Sequence, residues 1–461
     1  QQVSYTASVL GNIRTHLSGL QGYDTMFHEL IQNADDAKAE QIFIDFRHNE
    51  LRVWNSGVFS YCGDLEDESC PYQKRKGTDC DFHRIRHVAS GGKSSDPENI
   101  GRFGIGFVST YQICDSPEIA SAGIRVTLDP VKKRCTIDEH PNESGTRFNL
   151  RWATDPNSQV RDALFLSHIT ADLKKKCQKA CEAALRSNLL FLRHIKKAEL
   201  KRNGKTFLTI EVDRGTNDNL IVSFGSHCPP EQWLLLRYDA AAALRPLYRK
   251  HQQLEKQGRT TQISVAIRVE PRPLEDGLLY AFLPTQQATN LPLHLNADFF
   301  PESNRKAIIF TGDQYQQQWN ESLIKTAAKG LASDLERLRD EFGPEQLWGL
   351  LSAAYDATRN FRTVNCLRYF WRSFRDVADK GAKIGFSEKG EYKPLSSLVL
   401  SIKSLPKEQV AVFHQIGGEL LASSLKPHQP AAKELNVKSL TLANFVAIAK
   451  TSGIHIPAKN N

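Results

Sequence analysis

Apolar positions change their spacing several times along the 461-residue chain, and each change predicts an element. Between Asp24 and Ala37, Met26, Phe27, Leu30, Ile31 and Ala34 recur at a helical period. Two strand-like runs follow, QIFIDF (41–46) and LRVW (51–54), joined by a polar turn at His48–Asn49. Residues 60–100 are polar, rich in Cys, Gly, Asp and Lys, and read as an irregular excursion, a length that loops rarely reach without a function. Apolar order returns in FGIGFVSTYQI (103–113), then in IRVTLD (124–129) and TRFNLRW (146–152). Helix, strands, long loop, helix and strands predict an α+β layer with a lid, ending near residue 155.

A second block, 156–320, carries a predicted helix over 171–188 and strands at 198–204, 207–212 and 262–270. Beyond 320 the period is mostly helical, in 322–342, 345–357 and 407–424. No internal repeat and no low-complexity tract is found. The expected division is therefore 1–155 with a lid at about 60–107, then 156–320, then 321–461.

Bulk composition narrows the class only slightly. Charged residues at 24% and hydrophobic ones at 40% are ordinary for a globular chain, and nothing approaches the roughly 18 uninterrupted apolar residues of a membrane span. The first residues, QQVSYTASVL, show no basic stretch before an apolar core, so no signal peptide is read. The net charge of +8 comes from Lys and Arg spread along the chain, which favours a solvated surface over a polyanion-binding tract. Nine cysteines at irregular spacing favour reduced thiols and a cytoplasmic location.

Four short words carry the candidate chemistry. In HELIQNADDA (28–37), Glu29 and Asn33 stand four apart and share a helix face. A carboxylate and a carboxamide there can hold a water beside a hard cation such as Mg²⁺, which completes its shell with substrate phosphates. NSGVF (55–59) places Asn55 at a strand end where it can meet an adenine edge, with Gly57 permitting close approach. GRFGIGF (101–107) offers backbone N–H groups at a predicted helix start. It follows a polar loop rather than a strand and lacks the G-K-[ST] ending, which disfavours both the dinucleotide fingerprint and the P-loop. SGTRF (144–148) sets Thr146 at a strand start, where its hydroxyl can reach adenine or a bound water.

In that order these words resemble the GHKL superfamily of Bergerat-fold ATPases, and most nearly its sacsin-type, heat-shock-chaperone-like module. QNADDA, DPENIGRFGIGF, LPLHLNADFFPESNRKAI and QWNESLIK carry the likeness across roughly 20–330. The resemblance implies a Bergerat-type α/β sandwich, an α/β transducer domain and a mostly helical C-terminal region. It implies slow Mg-dependent ATP hydrolysis driving conformational change, with Glu29 activating water and Asn33 ligating Mg²⁺. Asp36, Asn55, Gly57 and Thr146 are expected around the nucleotide, and Gly101, Gly104, Ile105, Gly106 and Phe107 around the phosphates. Lys93 of the lid reaches toward the phosphates in this reading, and Arg305, with Lys306 as runner-up, meets the γ-phosphate from the transducer. Most of the superfamily has Asp where Asn55 stands and a second glycine where Phe59 stands, so the adenine contact loses charge assistance.

The partners expected are ATP, an unidentified protein client and a second copy joined through the N-terminal domain. The alternative is a nucleic-acid-associated ATPase of MORC or MutL type, in the manner of a bacterial anti-phage defence component; a third is a nucleotide-binding scaffold. Cys62, Cys70, Cys80, His83 and His87 fall together in the excursion. They lack the C-x2-C pair that marks a zinc knuckle, so ordinary thiols are the favoured reading over a zinc site.

Overall fold

A computed structural model describes residues 8–19, 22–67, 69–90, 105–141, 143–216, 218–225, 228–302, 306–312, 314–401 and 407–451. The chain divides into two compact units. One comprises Gln1–Leu235, Tyr280–Gln286 and Pro301–Ile308; the other comprises Leu236–Leu279, Gln287–Phe300 and Ile309–Asn461. Both mix helices with strands, as an α+β chain should.

The first unit is built on a large mixed sheet. Its strands are β1 (Gln41–Phe46), β2 (Glu50–Asn55), β3 (Glu118–Ser121), β4 (Ile124–Asp129), β5 (Arg134–Glu139), β6 (Thr146–Arg151), β7 (Lys197–Arg202), β8 (Lys205–Arg214) and β9 (Asn219–Phe224). They lie in the order β9-β8-β7-β1-β2-β6-β3-β4-β5, antiparallel throughout this run except where β1 pairs parallel with β7. Alternation fixes the register, because a slip of one residue would turn every buried side chain outward. Leu51, Val53 and Asn55 of β2 alternate with less buried neighbours and stand opposite Leu150, Phe148 and Thr146 of β6. Ile119 and Ser121 of β3 extend those last two rows.

The helices are α1 (Val9–Gly19), α2 (Tyr23–Asp36), α3 (Pro71–Lys76), α4 (Asp81–Ser90), α5 (Ile105–Val108), α6 (Gln159–Leu164) and α7 (Ala171–Asn188). Ser158 caps α6 through a 3.3 Å bond from Arg161 N, and Thr170 caps α7 through one of 3.3 Å from Leu173 N. In α2, Met26, Phe27, Leu30, Ile31 and Ala34 are all at or below 1% exposure, so this helix is a core element rather than a surface one. Val9, Ile13 and Leu17 of α1 close a separate cluster with Val108, Tyr111, Val160 and Leu164.

In the second unit the strand Gln262–Glu270 pairs antiparallel with His294–Ala297. Helices Tyr315–Ser333 and Leu335–Arg359 follow, the latter broken at Gly343, where φ is 75°. Trp319 and Asn320 of the QWNESLIK word are wholly buried. The Trp319 indole donates to Asp298 O at 2.9 Å, and the Asn320 amide bonds Phe300 N, Phe300 O and Ile309 O at 2.7–2.9 Å. That word and NADFF therefore knit a helix to the segment beside it.

Two elements differ from expectation. The excursion contains α3 and α4, whose polar faces hid their period. The helix expected over 407–424 stops at Gln415, because Gly417 turns to φ 81° and Gly418 N bonds Phe413 O at 2.9 Å, a left-handed stop.

Candidate functional site

Among the described residues of β2, β6 and β3, the buried face is apolar except along one transverse row. Asn55, Thr146 and Ser121 are neighbours across β2, β6 and β3, each at or below 2% exposure. Buried hydroxyls and amides cost free energy unless paired, and these are paired. Thr146 Oγ1 donates to Gly57 O at 2.8 Å and lies 2.8 Å from Ser121 Oγ. Ser121 Oγ accepts from Phe59 N at 3.0 Å and stands 2.9 Å from Gly145 O. Asn55 Oδ1 accepts from Gly57 N at 3.0 Å, which commits one of its two lone pairs to the turn and leaves its NH₂ donor group.

The NSG turn is drawn tight by further bonds. Ser56 Oγ accepts from Glu40 N at 2.9 Å and Gln41 N at 3.2 Å. A Cβ on Gly57 would stand 2.8 Å from both Cβ and O of Ala37, so glycine lets this turn close on the end of α2. Gly145 adopts φ 98° and passes so near Asn55 O that a Cβ would stand at 2.3 Å. Only glycine meets both demands.

Along α2, Glu29 and Asn33 are 7% and 8% exposed. Gly106 opposes Glu29: a Cβ at 106 would fall 2.0 Å from the carboxylate Oε2. Phe107 is 4% exposed and its ring lies 6.1 Å from that of Phe148, so its side chain is core and only its backbone is left for a phosphate. Among the described residues, the helix expected here is α5, passing into a 3₁₀ turn at Ser109–Gln112. The hydroxyls of Ser109 and Thr110 take the carbonyls of Gly106 and Phe107 three residues back and tighten it.

Asp36 pairs with Arg193 Nη2 at 3.3 Å. Its neighbour Asp35, 3% exposed, accepts from the backbone N–H groups of Arg193, His194 and Ile195 at 2.7–3.1 Å. Burial pulls the His28 imidazole down to about 4, against the pull of the Asp24 carboxylate, so this base is neutral in the fold. Arg161, 2% exposed, binds Asp115 Oδ1 at 2.6 Å, Gln112 O at 3.1 Å, Cys114 O at 3.2 Å and also Tyr111 O, fixing the segment after α5.

Glu29, Asn33, Asn55, Gly57, Gly106 and Thr146 thus come from α2, the NSG turn, α5 and one sheet row. Lys93, Gly101, Gly104 and Arg305 lie outside the described residues, as does the side chain of Ile105. Lys306 is described; its carbonyl accepts from Gln286 N at 2.8 Å. Ser121, Asp35 and Arg161 were not singled out in the sequence. Ser121 had no local signal, since only strand register places it beside Thr146.

Phe59, 4% exposed, packs edge-on against Phe82 of α4 and Phe148 of β6 at 5.7 and 5.9 Å. It anchors the excursion to the sheet, a physical reason for a large residue at that position. Within the excursion, one ligand atom from each of Cys62, Cys70, Cys80 and His83 lies within 4.8 Å of the others. The side chain of His87 lies outside the described residues.

Comparison with known proteins places the N-terminal part of the chain. Residues 7–162 match a family model described as Sacsin domain. Sacsin of Homo sapiens is 34% identical over 137 residues, which is 29% of this chain and 3% of sacsin. A solved structure titled as the N-terminal domain of a DNA repair protein matches at 12% identity and a TM-score of 0.36, covering 64% of this chain and 89% of that one. Among the described residues no helix is long and apolar enough to cross a membrane.

Proposed function

We propose that α2, the NSG turn, α5 and the polar row of the sheet form a Bergerat-type pocket of the GHKL class that binds Mg-ATP and hydrolyses it slowly. One observation carries this reading. Across β2, β6 and β3 the buried face ends in the polar row Asn55, Thr146 and Ser121, and α2 brings an acidic side chain against a glycine of the GRFGIGF word. The sacsin-domain match over 7–162 supports it.

In this pocket Asn55 and Thr146 orient the base, with Gly57 allowing the ring to approach the turn. Asn33 would hold Mg²⁺, which would supply charge neutralisation at the phosphates. Glu29 accepts the proton of the attacking water; its near-complete burial keeps competing water away from the carboxylate. Asp36 holds the end of α2 through Arg193 and is at most an indirect contributor. The output is an ATP-gated change of conformation of the sacsin and heat-shock-chaperone kind.

Saturating Mg-ATP should raise the melting temperature of both wild type and Glu29→Ala, since ligand at 100 times its Kd contributes about 2.7 kcal/mol. Phosphate release should fall at least about 10²-fold in Glu29→Ala, the lower range for a general base. No stabilisation by Mg-ATP, or equal turnover in the two proteins, overturns the reading.

A further inference from the structure

We propose that Cys62, Cys70, Cys80 and His83 form a closed Cys₃His site for a structural zinc ion that orders the segment between β2 and the end of α4. The four residues come from separate turns: Cys62 lies after β2, Cys70 immediately precedes α3, Cys80 immediately precedes α4, and His83 lies in the first turn of α4. Their ligand atoms nonetheless converge within 4.8 Å. Cys70, Cys80 and His83 are 2%, 0% and 0% exposed.

The distances suit a tetrahedron. With Zn–S at about 2.3 Å and Zn–N at about 2.0 Å, a sulfur–nitrogen edge is about 3.5 Å. His83 Nδ1 lies 3.4 Å from Cys62 Sγ and 3.3 Å from Cys80 Sγ. The other ring nitrogen fixes the tautomer. His83 Nε2 faces Asp67 O at 3.2 Å, and a carbonyl only accepts, so Nε2 carries the proton and Nδ1 turns a lone pair toward both sulfurs. This is the outer-shell arrangement that orients metal-bound imidazoles. The Cys80 backbone N–H also donates to Cys70 Sγ at 3.2 Å, a bond that suits a thiolate. Arg86 grips the carbonyls of Leu65 and of Asp67, the latter at 2.6 Å, and so holds the loop that positions Nε2.

The segment has reason to need a staple. Between Ser60 and Cys80 the described apolar residue buried by its own packing is Leu65, at 5% exposure, and the remainder is largely polar or charged. So few buried side chains do little to offset the entropy of ordering α3 and the loops around it. Four protein ligands leave no open position, which makes the site structural. Binding exchanges three thiol protons for Zn²⁺, and the protons pass to the buffer.

The site is independent of the nucleotide reading, and its test uses no nucleotide. The full chain, made in zinc-containing medium and purified without chelator, should carry about one zinc per chain by inductively coupled plasma mass spectrometry. Cobalt(II) exchanged into the stripped protein should give the intense visible absorption of tetrahedral thiolate ligation. Cys80→Ser and Cys62→Ser should each retain less than about a tenth of the metal, whereas Cys135→Ser on β5 should keep it all. Where the ligand variants fail to fold, wild-type metal content and the cobalt spectrum decide. Wild type with under about a tenth of a zinc per chain and no cobalt band overturns the proposal. So does a Cys70–Cys80 disulfide found by peptide mapping of the freshly purified protein.

Discussion

Replacing Gly106 by alanine tests the packing at Glu29 directly, because two effects predict opposite signs. Gly106 sits in α5, where alanine in place of glycine normally stabilises by up to about 1 kcal/mol. Here the new Cβ would stand 2.0 Å from Glu29 Oε2, 2.6 Å from its Cδ and 2.9 Å from its Cβ. Non-bonded carbons prefer about 3.5–4.0 Å, so relief requires the carboxylate or α5 to retreat by more than about 1 Å. Overpacking of this kind costs about 1–3 kcal/mol, enough to reverse the propensity gain. If Glu29 is the general base of the proposed function, displacing it by about 1 Å costs about 10²-fold in rate, so turnover should drop with it. Urea unfolding of wild type, Gly106→Ala, Glu29→Ala and the double variant separates the causes. Removing the carboxylate leaves only the 2.9 Å contact, so the alanine penalty should shrink by about 0.5–3 kcal/mol in the Glu29→Ala background. A penalty equal in both backgrounds, or a stabilised Gly106→Ala protein, would refute the placement of Glu29 against this turn.

Three further perturbations bear on the frame around the site. Arg161→Met should cost about 3–5 kcal/mol in urea unfolding, because Asp115 and three backbone carbonyls lose a donor that is 2% exposed. Arg47→Met, which breaks a pair with Asp45 through a 40%-exposed arginine, should cost under about 1 kcal/mol, and comparable losses would contradict the contrast. His28 has its folded pKa lowered from 6.5 to about 4, so below pH 6.5 the unfolded chain takes up a proton that the fold refuses. Stability should therefore fall as pH drops from about 6.5 toward 4, at up to about 1.4 kcal/mol per unit for this group, and His28→Gln should flatten the profile measured by denaturant titration. His294, lowered to about 4 by burial, adds the same trend in the second unit and contributes to the slope that remains.

Much of the secondary structure was legible where one face alone is buried or the run is strongly periodic. QIFIDF matches β1, the helix at 171–188 matches α7, and 262–270 matches its strand. β3 and β9 escaped notice because EIAS is too short to show alternation and NLIVSF follows a polar turn that looks like any loop. The site was legible where spacing alone sets geometry, as for Glu29 and Asn33 four apart on α2. It was not legible where geometry depends on register or on distant contacts. Ser121 reaches Thr146 only because β3 pairs with β6, and Arg161 finds its partners some 46–50 positions away. The cysteines show the same limit. Spacings of eight, ten and three between Cys62, Cys70, Cys80 and His83 carry no local signature, yet two short helices fold them together.

The three amide bonds to Asp35 have an evolutionary corollary. That carboxylate ties the end of α2 to the residues entering β7, so a descendant that had lost all chemistry would still need it to fold. Asp35 of the QNADDA word is therefore retained for architecture. Under the proposed function, that word alone would not separate hydrolysing from non-hydrolysing relatives, whereas Glu29, four places upstream of Asn33, would.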